Sequence, residues 1–117
     1  MADNQPRMYS DPVPVEISVF FEGGQFVFRT DESQAIYFFD KDAPGKSNCD
    51  GACTLTWRPV AAPPGAKTVG NWTTIERPDK SWQWAFKGMP VYTLIHDQLG
   101  KATGDGAGGG LWHVVKP

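Results

Sequence analysis

IYFFDKDAPGKSNCDGACTLTWRPV (Ile36–Val60) and VYTLIHDQLGKATGDGAGGGLWHVV (Val91–Val115) are one pattern written twice. A shift of 55 residues lays the second on the first without a gap, and nine of the 25 positions are identical. Tyr37 falls on Tyr92, Asp42 on Asp97, Gly45-Lys46 on Gly100-Lys101, and Asp50-Gly51-Ala52 on Asp105-Gly106-Ala107. Trp57 falls on Trp112 and Val60 on Val115, while Phe39 meets Leu94. With one insertion Phe26 and Phe28 also fall on Trp82 and Trp84, which carries the repeat upstream through a hairpin. Each half is therefore a hairpin, a motif strand, a Gly-rich turn and a Trp strand. One such half buries little apolar surface alone, so the two should pack together with pseudo-twofold symmetry. A compact β-sandwich or barrel-like sheet follows.

The pattern outside the repeat agrees with an all-β class. Ile17, Val19 and Phe21 alternate with Glu16, Ser18, Phe20 and Glu22, the period-2 signature of a strand. Gly23-Gly24 is a two-residue hairpin signal before Phe26 and Phe28. Gln34–Asp40, Thr73–Glu76, Trp82–Phe86, Pro90–Asp97 and Leu111–Val115 read as further strands. Trp82, Trp84 and Phe86 share one face, with Gln83 and Lys87 on the other. Ala52–Leu55 fits a single helical turn, and no segment sustains a 3.6-residue period.

A chain of 117 residues is one domain by size. Residues 1–14, with Pro6, Pro12 and Pro14, read as a flexible arm; residues 15–117 form the domain, with repeats at about 15–60 and 70–115. Thirteen Gly and ten Pro favour short strands and turns, and five Trp, seven Phe and three Tyr supply the core. A net charge of −2, with no long basic run, lacks the electrostatic footprint of a nucleic-acid binder. The apolar runs are too short for a transmembrane helix. Met1–Pro14 has no apolar h-region, so export would depend on a leader upstream.

Cys49 and Cys53 are the only cysteines, and the even count permits one disulfide in an oxidising compartment. Two buried thiols in a cytosolic protein are the alternative. Within the repeat they correspond to Gly104 and Gly108. One copy would stiffen its turn covalently, while the other relies on the glycine run Gly104–Gly110. Cysteines four apart fit poorly on a regular helix, so a distorted turn is expected around Asp50-Gly51-Ala52.

Tyr37-Phe38-Phe39-Asp40-Lys41-Asp42 fits the pattern Y-x-[FWY]-x-x-D, followed by GKSNCDGAC, Trp57 and the closing GDGAGGGLWHVVKP. With these elements the chain resembles the predicted bacterial lipoproteins that carry this motif, a secreted repeat of unknown function. The resemblance spans about Ala35 to Pro117. The second copy, YTLIHD, departs from it in having Leu94 at the aromatic position, and no lipobox cysteine lies near the start. The resemblance implies export to the periplasm or the exterior, with a lipid anchor on the full-length protein left open.

The candidate chemistry is sparse. Tyr37, Asp42, Tyr92 and Asp97, with Phe39, Leu94, Trp57 and Trp112, read as structural: Tyr in the core and Asp accepting turn N–H groups. A groove where the two Tyr and two Asp converge is the rival. Asp40, Asp42 and Gly45 hint at a calcium loop, but Pro44 and Gly51 stand where an EF-hand needs ligands. His96 and His113, with Met89, would make a copper or zinc site if they converged, yet His96 aligns with Lys41 and His113 with Arg58. No G-x-S-x-G, H-E-x-x-H or CxxC is present. The expectation is a non-enzymatic exported domain without a cofactor, binding an unknown protein or small molecule or serving structurally. The competing class is an envelope redox or metal-handling protein using Cys49–Cys53 or His96 and His113.

Overall fold

The structure is a computed structural model and describes residues 9–117; most of the expected N-terminal arm, residues 1–8, lies outside them. Of the rest of that segment, Ser10, Asp11 and Pro12 are exposed. The Tyr9 ring meets Phe26 and Phe28 edge-on, and Pro14 is buried.

Among the described residues the strands form three antiparallel sheets. The first is the hairpin β1 (Ile17–Glu22) and β2 (Gln25–Thr30), in register from Ile17↔Thr30 to Glu22↔Gln25. Its two-residue turn requires positive φ at both central positions, and Gly23 and Gly24 have φ of 58° and 79°. The second sheet contains β3 (Tyr37–Phe39), β4 (Trp57–Pro59), β9 (Tyr92–Leu94) and β10 (Trp112–Val114) in the order β10-β3-β9-β4. The third contains β5 (Ala61–Ala62), β6 (Trp72–Glu76) and β7 (Trp82–Phe86) in the order β5-β7-β6, with β8 (Met89–Pro90) also on β7. All-β is correct. The barrel alternative is not: no sheet among the described residues closes on itself.

The second sheet realises the repeat. Its centre is the pair Tyr37↔Tyr92, the same motif residue from each copy. Outward from it the register is symmetric: Trp112↔Phe39 and Val114↔Tyr37 on one side, Trp57↔Leu94 and Pro59↔Tyr92 on the other. Each motif strand thus pairs with the Trp strand of the other copy.

The strand expected over Pro90–Asp97 is divided, because at Val91 the chain changes sheets. The Val91 N–H donates to Trp84 in the third sheet, while its carbonyl accepts from Val60. Val115 donates to the Ile36 carbonyl in the equivalent place. Gln34–Asp40 likewise keeps only Tyr37–Phe39 as strand, and Ala35 makes an isolated bridge to Arg29. The expected polar face of β7 also needs correction. Gln83 is fully buried, with its amide donating to the Val91 carbonyl.

Two apolar clusters hold the sheets together. Phe28, Ile36, Val60, Trp72, Trp84, Phe86, Val91 and Val115 bind the hairpin to the third sheet. Phe28 lies edge-on to Trp72 and Phe86 at 5.1 and 5.0 Å, so the two copies' hairpins meet through it. The second cluster is the motif itself: Tyr37, Phe39, Cys49, Trp57, Tyr92 and Trp112.

Candidate functional site

The motif strands are short and alternate, so Tyr37 and Phe39 point inward together while Phe38 stays half-buried. The same alternation on β4 and β10 brings Trp57 and Trp112 into contact. Their rings stack at 3.8 Å with 3° between planes, and Phe39 stacks on Trp112 at 4.3 Å. Leu94 holds the register position against Trp57 that Phe39 holds against Trp112. Tyr37 stands edge-on to Trp57 and Tyr92 edge-on to Trp112, at 5.1 and 5.2 Å.

The tyrosine and aspartate of the motif bond across copies. Tyr37 donates to Asp97 Oδ2 at 2.6 Å, and Tyr92 donates to Asp42 Oδ2 at 2.7 Å. The other oxygen of each aspartate ties its own turn: Asp42 Oδ1 accepts from the Asn48 N–H, and Asp97 Oδ1 accepts from the Thr103 N–H. One residue pair therefore fixes both the copy–copy interface and the turn. Burial raises the pKa of both phenols, that of Tyr92 to about 12. Burial also raises the Asp42 pKa, against the opposing pull of the Asn48 N–H, Tyr92 and the Arg77 charge.

The copies differ at their turns. Cys49 and Cys53 are joined, with Cα atoms 5.3 Å apart across a 3-10 turn (Gly51–Leu55) that starts at Gly51 with φ of 55°. At the equivalent Gly104 no side chain fits: a Cβ would lie 2.8 Å from both Leu94 Cδ2 and Trp57 Cη2. Gly108, facing Cys53 in the repeat, has φ of 67°, and a Cβ there would lie 3.1 Å from Trp112 Cδ1.

Beside the disulfide lies a buried polar network that the sequence did not reveal. Arg77 donates to Ser47 Oγ, Gln83 Oε1 and the Cys49 carbonyl, and Ser47 Oγ meets the Tyr92 hydroxyl at 2.5 Å. The buried guanidinium is thereby linked through Ser47 and Tyr92 to Asp42. Next to it opens a groove of about 590 Å³ lined by Asp50, Thr54, Arg77, Asp79, Ser81 and Trp82. The Ser81 hydroxyl and N–H hold Asp79 below the ordinary carboxylate pKa.

The two histidines do not share a site. His113 pairs with Asp40 at 2.8 Å and stacks on Phe38, whereas His96 sits exposed in a turn with φ of 61°. Met89 lies in β8. Among the described residues no three His, Cys, Asp or Glu side chains gather as a metal site would require. No helix among them is long and apolar enough to cross a membrane.

The profile of a family described as a secreted repeat of unknown function matches residues 28–61 and 73–116. The chain belongs to this family. The two matches fall on the two copies, each entering at its hairpin and ending with its Trp strand or just beyond. Membership places the protein among exported repeats whose role is unresolved. No match was found among curated proteins or among solved structures.

Proposed function

We propose that the protein is a non-enzymatic binding domain working in the periplasm or outside the cell, in which the repeat motif is scaffold and the groove beside the disulfide holds the ligand. The observation that carries this is how the polar groups divide. In the motif cluster both Tyr hydroxyls and both Asp carboxylates are used up in holding the copies and turns together. In the groove, a carboxylate, an arginine and a half-buried tryptophan converge on one concavity, the usual form of a small ligand site. Against catalysis, both cysteines are in the disulfide, and neither histidine bonds a hydroxyl or thiol among the described residues.

Sedimentation with isolated bacterial envelope fractions tests the reading. The oxidised domain is expected to cosediment and to release no low-mass product. Trp82→Ala is expected to lose most of that retention, whereas Lys80→Ala, on the neighbouring turn, keeps it. Equal retention of all three proteins, or product release, overturns the proposal.

A further inference from the structure

We infer that the groove around Asp50 and Trp82 is a carbohydrate site that takes a pyranose ring of a neutral glycan; this rests on the binding reading above and names its ligand. Asp50 and Pro59 line this groove, and their repeat equivalents Asp105 and Val114 line a second one. That groove, about 500 Å³, is lined by Phe38, Asp40, Asp105, His113, Val114 and Lys116, and its aspartates and histidine are each bonded within the protein. Asp105 Oδ1 accepts the Val114 N–H at 2.9 Å, and His113 is paired with Asp40.

In the first copy Asp50 stands where Asp105 does, and Pro59 stands where Val114 does. Proline has no N–H to give. The Asp50 carboxylate accordingly makes no hydrogen bond among the described residues, and it does not cap the 3-10 turn that follows it. A single residue difference between the copies leaves a carboxylate free in the first-copy groove.

The rest of the lining selects the ligand. Arg77 spends both Nη1 hydrogens and one on Nη2, leaving Nε–H and the other Nη2 hydrogen without a protein partner among the described residues. The groove carries charge of both signs, the Arg77 guanidinium and the carboxylates of Asp50 and Asp79. A neutral ligand with many hydroxyls satisfies acceptor and donor alike. The Ser81 hydroxyl donates to Asp79 and the Thr54 hydroxyl to the Gly51 carbonyl, so each keeps lone pairs for a ligand hydroxyl. Trp82, half-buried at the groove wall, offers a rigid apolar surface for the C–H face of a sugar ring.

Tryptophan fluorescence and calorimetry on the oxidised full chain, titrated with the tetrasaccharides of N-acetylglucosamine, β-glucose and α-glucose, test the assignment. Saturable one-to-one binding of at least one of them is expected. Asp50→Asn should weaken it about tenfold, the effect of losing a charged hydrogen-bond acceptor. Pro59→Val should weaken it about as much, because the new N–H captures Asp50 as Val114 captures Asp105. Asp105→Asn should leave affinity unchanged. Affinity indifferent to both Asp50→Asn and Pro59→Val overturns the inference, as does the absence of binding to all three sugars. Binding of tetralysine that depends on Asp50, without sugar binding, would make the groove a cationic peptide site instead. Should Trp82-dependent envelope retention persist while the sugars fail, the ligand class falls and the binding reading stands.

Discussion

Gly104 shows how far single atoms are constrained in the motif core. Its φ lies outside the left-handed region, so the need for glycine there is steric alone: a methyl group would press on Leu94 and Trp57. Gly104→Ala is expected to cost about 1–3 kcal/mol of unfolding free energy by overpacking, measured by urea denaturation. The buried phenols make an alkaline prediction. Tyr92 titrates near 12 when folded but near 10.0 when unfolded, so its contribution is complete below pH 10 and fades as pH rises through 10 towards 12. Absorbance at 295 nm should show tyrosinate appearing together with unfolding, and Tyr92→Phe should flatten the alkaline fall in stability. Asp42 acts in the acid range with the same sign. Its folded pKa is raised by burial, so its contribution is fullest below the ordinary carboxylate value of 3.8 and is lost as pH climbs past it. The difference in unfolding free energy between the wild type and Asp42→Asn should therefore shrink between pH 3 and pH 6; a constant difference would contradict the burial argument.

The disulfide turn is the element that distinguishes the copies. Cys49 is fully buried in the motif cluster and Cys53 is packed against it. Closing a loop this short contributes about 2 kcal/mol by restricting the unfolded chain. Replacing both cysteines with alanine should lower unfolding free energy by about that amount, read from denaturant midpoints with and without reductant. In the double variant the reductant should have no further effect. Of the elements, the β1–β2 hairpin was legible in the sequence because a Gly-Gly dipeptide between alternating strands admits few other structures. The break at Val91 was not. Pro90–Asp97 looks continuous until Met89–Pro90 is known to pair with β7 of the third sheet and Tyr92–Leu94 with β3 and β4 of the second.

At the scale of the molecule the crossed pairing has a direct consequence. β3 pairs with β10, β4 with β9, and the two motif strands meet at Tyr37↔Tyr92, so the motif sheet needs strands from both copies. Separate peptides covering residues 9–66 and 67–117 are each expected to be unfolded, with no near-ultraviolet circular dichroism. Mixed in equal amounts, they should restore the spectrum of the intact domain. A folded single half would contradict the crossed arrangement.

Class, repeat and turns were legible in the residues alone. Alternation, glycine placement and an ungapped shift are local or one-dimensional properties, and each was visible in the residues alone. The inward role of Tyr37, Tyr92, Trp57 and Trp112 was also legible, since large aromatics recurring at fixed spacing need a shared core. Which copy each aspartate serves depends on the fold: Asp42 could have served Tyr37 or Tyr92, and it accepts from Tyr92. The Arg77–Ser47–Gln83 network was hidden for a similar reason, because its members lie far apart in sequence and none belongs to the motif. The Asp50 groove falls between these cases. The mismatch of Pro59 with Val114 is visible in the sequence, but its meaning depends on the Val114 N–H donating to Asp105. A sequence lists donors and acceptors; the fold decides which of them meet.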